Sequence, residues 1–122
     1  MPKFSKKSQE RLATAHPDLQ RLFNEVIKDI DCTVIYGYRG KKEQDEAYER
    51  GNSKLKFPQS MHNKKPSLAV DVVPYPLDWG NIESFVRLMR TVKLKAKILN
   101  IPIVCGGDWK MRDYPHYELK QG

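Results

Sequence analysis

Two stretches of the chain repeat apolar residues at the three- and four-residue spacing of a helix with one buried face. The first begins at Pro17, a residue suited to the first helical position, and the second covers 81–99. Two more polar segments, 8–15 and 41–50, also favour helices, and Gly51 ends the latter. The apolar positions of the two amphipathic helices are Leu19, Leu22, Phe23, Val26, Ile27 and Ile30, then Phe85, Leu88, Met89, Val92, Ala96 and Leu99.

Four short runs rich in β-branched and aromatic residues are typical of strands. These runs cover 32–36, 68–73, 101–105 and 114–119. Segment 52–67 is long and polar and is predicted as a loop, which at that length is usually functional or disordered. The last two strands are joined by a short turn, 106–109, which indicates antiparallel pairing. The pattern therefore predicts an α+β fold in one domain, 1–122, with a small antiparallel sheet flanked by helices.

Charge and hydropathy narrow the class of protein. The 122 residues carry a net charge of +7, which predicts affinity for polyanions such as nucleic acid or an anionic cell envelope. No apolar run approaches the roughly 20 residues that a membrane span needs, and none follows the basic N-terminus as a secretory signal requires. We therefore expect a cytoplasmic protein. Cys32 and Cys105 form no CxxC pair and are predicted to be buried free thiols.

Candidate metal ligands come from three separate segments. Asp71 lies in an apolar strand, where an ionised carboxylate is costly unless it is paired or bound to a cation. His62 lies in the long polar loop, whereas His116 follows Pro115, which marks an edge strand or the entry of a strand. Taken singly, each could instead be a buried side chain with a structural role, hydrogen-bonded within the protein. His16, directly before a helix-starting proline, is interpreted as a cap or surface residue.

Two histidines and one carboxylate together fit a catalytic zinc site, which uses three protein ligands and leaves a fourth position for water. The pKa of that water falls toward about 7, which supplies hydroxide at neutral pH. Asp113, three residues before His116, is a candidate to take the water's proton and pass it to the leaving amine. The short HExxH signature is absent, so the spacing alone does not exclude that the histidines are structural residues that bind no metal.

Two motifs around these residues resemble the LAS-type, or VanY-like, zinc peptidases, which comprise D-alanyl-D-alanine carboxypeptidases and phage L-alanyl-D-glutamate endopeptidases. Ser60-x-His62, followed by segment 66–74, resembles the family's SxH…(A/S)xD element. Segment 106–109, followed by 113–118, resembles its closing segment with (D/E)xxH. The similarity is greatest to phage endolysins of the L-alanyl-D-glutamate type.

A third motif, segment 36–39 with Gln44 five residues after Arg39, resembles the family's G-x-R…Q element. The resemblance implies that Arg39 binds a substrate carboxylate or polarises the scissile carbonyl, a task that a planar guanidinium suits. It also implies that Ser60 supports the site by hydrogen bonding and that Gln44 contacts substrate or supports the site.

The remaining roles are implied by the same resemblance. His62, Asp71 and His116 are expected to bind Zn²⁺, and Asp113 is expected to be the general base and acid. Glu118 is the second choice as base because it shares a strand face with His116.

The sequence departs from the family pattern at two places. The interval between His62 and Asp71 is longer than usual, so residues 63–66 are expected to bulge. Cys105 stands where an aromatic residue often precedes the Gly-Gly-Asp-Trp turn. A thiol there could compete for zinc, but its apolar neighbours favour burial.

The resemblance implies a zinc peptidase with a fold of the DD-peptidase/hedgehog type that cuts peptidoglycan between L-alanine and D-glutamate. As a phage endolysin it is expected to be a monomer that stays in the host cytoplasm until lysis and then acts on the wall, with no nucleic-acid partner. Its positive charge would strengthen contact with an anionic wall. The alternatives are a D-alanyl-D-alanine carboxypeptidase, a non-catalytic metal-binding relative, and a basic nucleic-acid-binding domain whose histidines are structural.

Overall fold

A four-stranded antiparallel sheet organises the computed structural model, which describes residues 2–121. The strands are β1 (Cys32–Tyr36), β2 (Ala69–Pro74), β3 (Ile103–Cys105) and β4 (His116–Leu119), and they lie in the order β1-β2-β4-β3. The helices are α1 (Lys6–Leu12), α2 (Pro17–Asp29), α3 (Lys41–Glu49) and α4 (Ile82–Leu99). Every strand pair is antiparallel, so the predicted α+β class is confirmed.

One hydrophobic core lies between a face of the sheet and helices α2 and α4. Alternation along β2 sends Val70 and Val72 into this core and turns Asp71 to the opposite face. The apolar stripes of the two helices supply most of the remaining core, as their spacing predicts. One face of the sheet is therefore buried and apolar, and the other carries the polar side chain of Asp71.

Strand β4 is a central strand, flanked by β2 and β3. Pro115 directly precedes it, so the interpretation of Pro115 as a strand entry is confirmed and the edge-strand interpretation is wrong. The strand begins at His116 rather than at residue 114 because proline has no N–H to donate to the ladder. Pro102 likewise delays β3 to Ile103.

Helix α1 protects the exposed edge of the sheet at β1. Ser8 Oγ accepts a hydrogen bond from Val34 N at 3.1 Å, and Arg11 Nη1 donates to Val34 O at 3.2 Å. These bonds satisfy a backbone that would otherwise be open to pairing with another chain. The helix begins at Lys6, two residues earlier than predicted, because Ser5 caps it by accepting from Ser8 N.

Gly37, just after β1, lies so close to α1 that a Cβ there would collide with Arg11 O and Thr14 Oγ1. Only glycine lets the chain pass at this distance. The close approach matters for the site described below, because the carbonyl of Gly37 faces His62.

Both cysteines are buried free thiols, as predicted. Burial, with a smaller contribution from the charge of Asp31, raises the pKa of Cys32 to about 12. Burial is also the main reason that the pKa of Cys105 rises to about 11. Neither cysteine belongs to the group of residues that could share a metal ion, which consists of His62, Asp71 and His116. Among the described residues, no helix is long and apolar enough to cross a membrane.

Tyr117 places its hydroxyl in the core. The residue is fully buried, its ring meets Phe23 edge to face, and its hydroxyl has no hydrogen-bond partner among the described residues. A buried polar group without a partner costs about 1–3 kcal/mol. We therefore expect Tyr117→Phe to raise the free energy of unfolding by about 1 kcal/mol, measured by urea denaturation. A destabilised variant would show that the hydroxyl is paired.

Candidate metal centre

His62 is held by a rigid turn inside the long polar loop. Residues Met61–Asn63 form one turn of 3₁₀ helix, in which Ser60 Oγ accepts from His62 N at 3.2 Å. Asn63 Oδ1 in turn accepts from Ser60 N at 3.0 Å, which closes a capping box. The segment predicted as a long polar loop therefore contains an ordered element that presents a buried imidazole.

The orientation of the His62 ring leaves one nitrogen for a cation. Its Nδ1–H donates to Gly37 O at 2.8 Å, so in the neutral ring Nε2 carries a lone pair. This Nε2 lies 3.1 Å from Asp71 Oδ1, which is also an acceptor. Two acceptors at this distance repel each other unless a proton or a metal ion lies between them.

His116 reaches the same carboxylate from the neighbouring strand. Asp71 and His116 are direct partners in the β2–β4 register, which puts their side chains on one face of the sheet. His116 Nδ1 lies 3.4 Å from Asp71 Oδ1, while Nε2–H donates to Glu118 Oε1 at 2.6 Å. A second carboxylate on the far nitrogen is the usual partner of a metal-binding histidine.

The three ligand atoms fit one metal ion. They lie within 4.8 Å of one another, and all three side chains are largely buried. Two ligands of a tetrahedral ion, each about 2.0–2.1 Å from it, are about 3.4 Å apart. The observed separations of 3.1 Å and 3.4 Å match this edge length. Two imidazoles and a carboxylate also form a donor set that zinc accepts.

The electrostatics of the cluster favour a concentrated positive charge. Burial raises the pKa of Asp71, but the charge of His62 and hydrogen bonding with both imidazoles outweigh it and hold the pKa well below its usual range. Burial lowers the pKa of His116, yet its hydrogen bonds with Asp71 and Glu118 raise it to about 9. The carboxylate of Asp71 thus stays ionised and favours a positive charge beside it.

Arg39 lies beside the cluster and is fixed by polar contacts. Its Nη1 is 3.9 Å from Asp71 Oδ2, its Nε donates to Gln44 Oε1 at 2.8 Å, and its guanidinium lies over the Tyr36 ring. Gln44 is fully buried, so of its two predicted roles the structure favours support over contact with substrate. Asn63 Nδ2 donates to Arg39 O at 2.8 Å, a role that sequence reasoning missed. The capping-box pattern of Ser60 and Asn63 was the available signal.

Asp113 lies at the exposed rim, in the turn that leads into β4. Its N–H donates to Gly106 O at 2.9 Å, and its carbonyl accepts from His116 N at 3.1 Å. Partial desolvation of its carboxyl, followed by the charge of Asp71, raises the pKa of Asp113 against the opposing charges of His116, His62 and Arg39. A carboxyl with a raised pKa suits proton transfer near neutrality.

The structure thus brings together His62, Asp71 and His116, with Arg39 and Glu118 in contact with them. Ser60 acts through the backbone of His62. The arrangement defines a class: a small α+β domain with a buried His–Asp–His group suited to one metal ion.

The chain belongs to the phage L-alanyl-D-glutamate peptidase family, whose family model matches residues 1–122. It is 30% identical over 125 residues to the L-alanyl-D-glutamate peptidase of Escherichia phage T5, and this alignment covers 98% of this chain and 90% of the phage protein. It is 34% identical over 109 residues to the peptidoglycan L-alanyl-D-glutamate endopeptidase CwlK of Bacillus subtilis, and this alignment covers 75% of this chain and 62% of CwlK.

A solved structure shares the fold. The crystal structure of the L-Ala D-Glu endopeptidase ChiX from Serratia marcescens superposes with a TM-score of 0.83 at 28% sequence identity. The match covers 98% of this chain and 91% of that one. The resemblance to phage endopeptidases stated from the motifs is therefore confirmed at the level of family and fold.

Proposed function

We propose that this protein hydrolyses the L-alanyl-D-glutamate bond of peptidoglycan with a Zn²⁺ held by His62, Asp71 and His116. The observation that carries the proposal is the convergence of these three ligand atoms on one face of the sheet. The names of the relatives support the choice of bond. We further propose that residues 1–122 act as a single monomeric domain, released from the host cytoplasm to the wall at lysis.

The ion, when bound, supplies Lewis acidity and lowers the pKa of water toward neutrality. Asp113, at the rim and with a raised pKa, accepts the proton of the attacking water and returns it to the leaving amine of D-glutamate. Arg39 binds a carboxylate of the substrate or stabilises negative charge on the scissile carbonyl oxygen. Its hydrogen bond to Gln44 and its stacking on Tyr36 fix the guanidinium before substrate arrives.

The tautomer of each histidine is set by an oxygen that accepts a hydrogen bond from the ring nitrogen that does not face the ion. Gly37 O takes the Nδ1 proton of His62, and Glu118 takes the Nε2 proton of His116. Each ring therefore offers its other nitrogen to the ion. The Trp109 ring lies 5.1 Å from the ring of His116. We assign Glu118 to orienting His116, in place of its second-choice role as base.

The proposal is tested by digesting purified peptidoglycan and identifying the new chain termini by mass spectrometry. We expect new D-glutamate amino termini, with no digestion after treatment with a chelator and recovery on adding Zn²⁺. Release of free D-alanine instead would identify a D-alanyl-D-alanine carboxypeptidase. Digestion that continues in chelator would contradict metal dependence, and intact peptidoglycan with tight, salt-sensitive DNA binding would favour a nucleic-acid-binding domain.

Loss of the Glu118 carboxylate is expected to weaken metal binding. In Glu118→Gln the partner of His116 Nε2 becomes neutral, and changes of this kind cost about 10–100-fold in metal affinity or activity. Competition with a chromophoric chelator measures the dissociation constant. Glu49→Gln, an exposed carboxylate on α3, is the matched control and should bind zinc like the wild type. Equal affinity in both variants would show that Glu118 does not support the ligand.

Metal binding is expected to release protons. His116 is protonated at pH 7 in the metal-free protein because its pKa is about 9, and this proton must leave when its Nδ1 binds metal. Metal affinity should therefore rise about tenfold per pH unit until pH approaches 9. The same raised pKa means that protonated His116 stabilises the metal-free fold. This stabilisation is fully present below about pH 6.5 and is lost as the pH rises through 9.

Titration calorimetry in buffers of different ionisation enthalpy measures the number of protons released. We expect at least one per ion at pH 7. A pH-independent affinity with no proton release would contradict the assignment of His116 as a ligand.

A further inference from the structure

We propose that Lys54 binds a carboxylate of the stem peptide beside the metal centre, and that it leaves its contact with Met111 to do so. The inference rests on the proposed function and deepens it, because it assigns a residue that recognises the acidic part of the substrate. Both side chains are exposed, and Lys54 Nζ lies 2.7 Å from Met111 Sδ. The two residues are 57 positions apart in the chain.

The segment around Lys54 is tied to the arginine beside the metal centre. The side-chain amide nitrogen of Gln44 donates to Ser53 Oγ at 2.9 Å and to the carbonyl oxygen of Leu55, so it holds both neighbours of Lys54. The amide oxygen of the same side chain accepts from Arg39 Nε at 2.8 Å. A single buried side chain therefore separates the backbone at Lys54 from the guanidinium of Arg39.

Met111 belongs to the segment that carries the proposed base. It lies two residues before Asp113. The backbone of Asp113 donates to Gly106 O at 2.9 Å and accepts from His116 N at 3.1 Å, which holds this segment against the start of β4. The side chain of Lys54 thus connects the segment beside Arg39 with the segment that leads to a proposed metal ligand.

These contacts form a ring on the face of the sheet that carries Asp71. The ring runs from Asp71 through Arg39 and its amide partner to Lys54, crosses to Met111, and returns along the chain to His116, the register partner of Asp71. The contact between Lys54 and Met111 joins two exposed side chains, so it can open without any change in the core. Lys54 therefore lies at the rim of the metal centre and is free to move there.

The ammonium group of Lys54 has a weak partner in this position. A thioether is a weak hydrogen-bond acceptor, whereas an ammonium group has three donors and a full positive charge. Among residues 2–121, Lys54 takes part in none of the ion pairs, and segment 51–70 contains no acidic residue. A carboxylate that enters beside the metal centre therefore offers this ammonium group a charge-assisted hydrogen bond in place of the weak one.

The substrate carries the groups that an ammonium can bind. Glutamate has two carboxyl groups, and a peptide continues through only one of them, so a free carboxylate remains beside the scissile bond. The end of the stem peptide carries another. Arg39 is buried and bonded to Gln44, whereas Lys54 is exposed on a flexible stem that can follow a carboxylate. Lys54 therefore favours acidic stem peptides over amidated ones.

The test compares three stem peptides that share one scissile bond. One has free carboxylates, one has a carboxamide in place of the free D-glutamyl carboxylate, and one has a carboxamide at its carboxyl terminus. We expect one of the two amidations to lower kcat/KM of the wild type, and this loss to be about 3- to 10-fold smaller in Lys54→Gln, which has no charge to pair. The amidation that behaves in this way identifies the carboxylate that Lys54 binds.

Three further variants separate recognition from structural support. Lys54→Arg keeps the charge and should keep the wild-type preference for the acidic peptide. Met111→Leu should also keep it, because the lysine leaves the thioether to bind substrate, and loss of the preference in this variant would contradict that release. Lys97→Gln removes the same charge from the exposed side of α4, which packs on the other face of the sheet, and should change none of the three values.

Equal losses on all three peptides in Lys54→Gln would overturn the proposal and assign the lysine to structural support. A preference for the acidic peptide that stays the same in Lys54→Gln would also overturn it and leave carboxylate recognition to Arg39. So would a wild-type enzyme that cleaves all three peptides equally well. A wild-type protein that cleaves none of them would refute the proposed function itself.

Discussion

An Asp71→Asn protein is expected to lose its metal and at least about 10³-fold of its peptidase activity, because the ion supplies several kcal/mol of transition-state stabilisation. Asp71 Oδ1 lies near both imidazoles, 3.1 Å from His62 Nε2 and 3.4 Å from His116 Nδ1. It also supplies the only negative charge among the three proposed ligands. An amide of the same shape removes that charge and leaves the ion two neutral ligands.

Metal content by mass spectrometry and the rate of muropeptide hydrolysis measure this effect together. Asp45→Asn, which removes an α3 carboxylate paired with Lys41, is the matched control and should retain metal and activity. Circular dichroism establishes that the Asp71→Asn protein is folded. A folded variant with full activity would show that Asp71 is a structural partner of the histidines rather than a ligand.

Asp113→Asn is expected to lower kcat by about 10²–10⁴-fold while the protein keeps its metal. The amide cannot accept a proton from water, but the ligand atoms belong to other residues. Retained metal with lost turnover is the pattern that separates a base from a ligand. Asp108→Asn removes a carboxylate from the same segment that pairs instead with Lys93, and it should remain active.

The pH profile adds a second readout for Asp113. A general base must be ionised, so kcat/KM should fall as pH decreases through its pKa. Because desolvation, the largest cause of the shift, raises that pKa, the acidic limb should lie above the ordinary range of a carboxyl group. Loss of this limb in Asp113→Asn supports the assignment. If Asp113→Asn keeps both its turnover and the acidic limb of the profile, another residue is the base.

Local patterns were sufficient to predict the elements, and they indicated the three side chains that the structure brings together as a candidate metal group. The buried Asp71 was conspicuous because a carboxylate in an apolar strand requires compensation, and the structure provides it with two imidazoles. Pro17 and Gly51 predicted a helix start and a helix end, and the structure has α2 beginning at Pro17 and a left-handed Gly51 after α3. His16 is the N-cap of α2, accepting from Asp18 N through Nδ1.

Long-range contacts could not be predicted from the same patterns. Gly37 O orients His62 across 25 residues, and no periodicity indicates such a contact. The order of the strands likewise depends on pairing between distant segments, so Pro115 alone could not decide between an edge strand and the entry of a central one.

The central claim is that two imidazoles and one carboxylate share a single ion. Anomalous diffraction at the zinc edge from crystals grown with Zn²⁺ tests it most directly. We predict one peak about 2.0–2.2 Å from His62 Nε2, Asp71 Oδ1 and His116 Nδ1. No peak between these atoms in a zinc-loaded, active protein, or a peak held by other residues, would contradict the account.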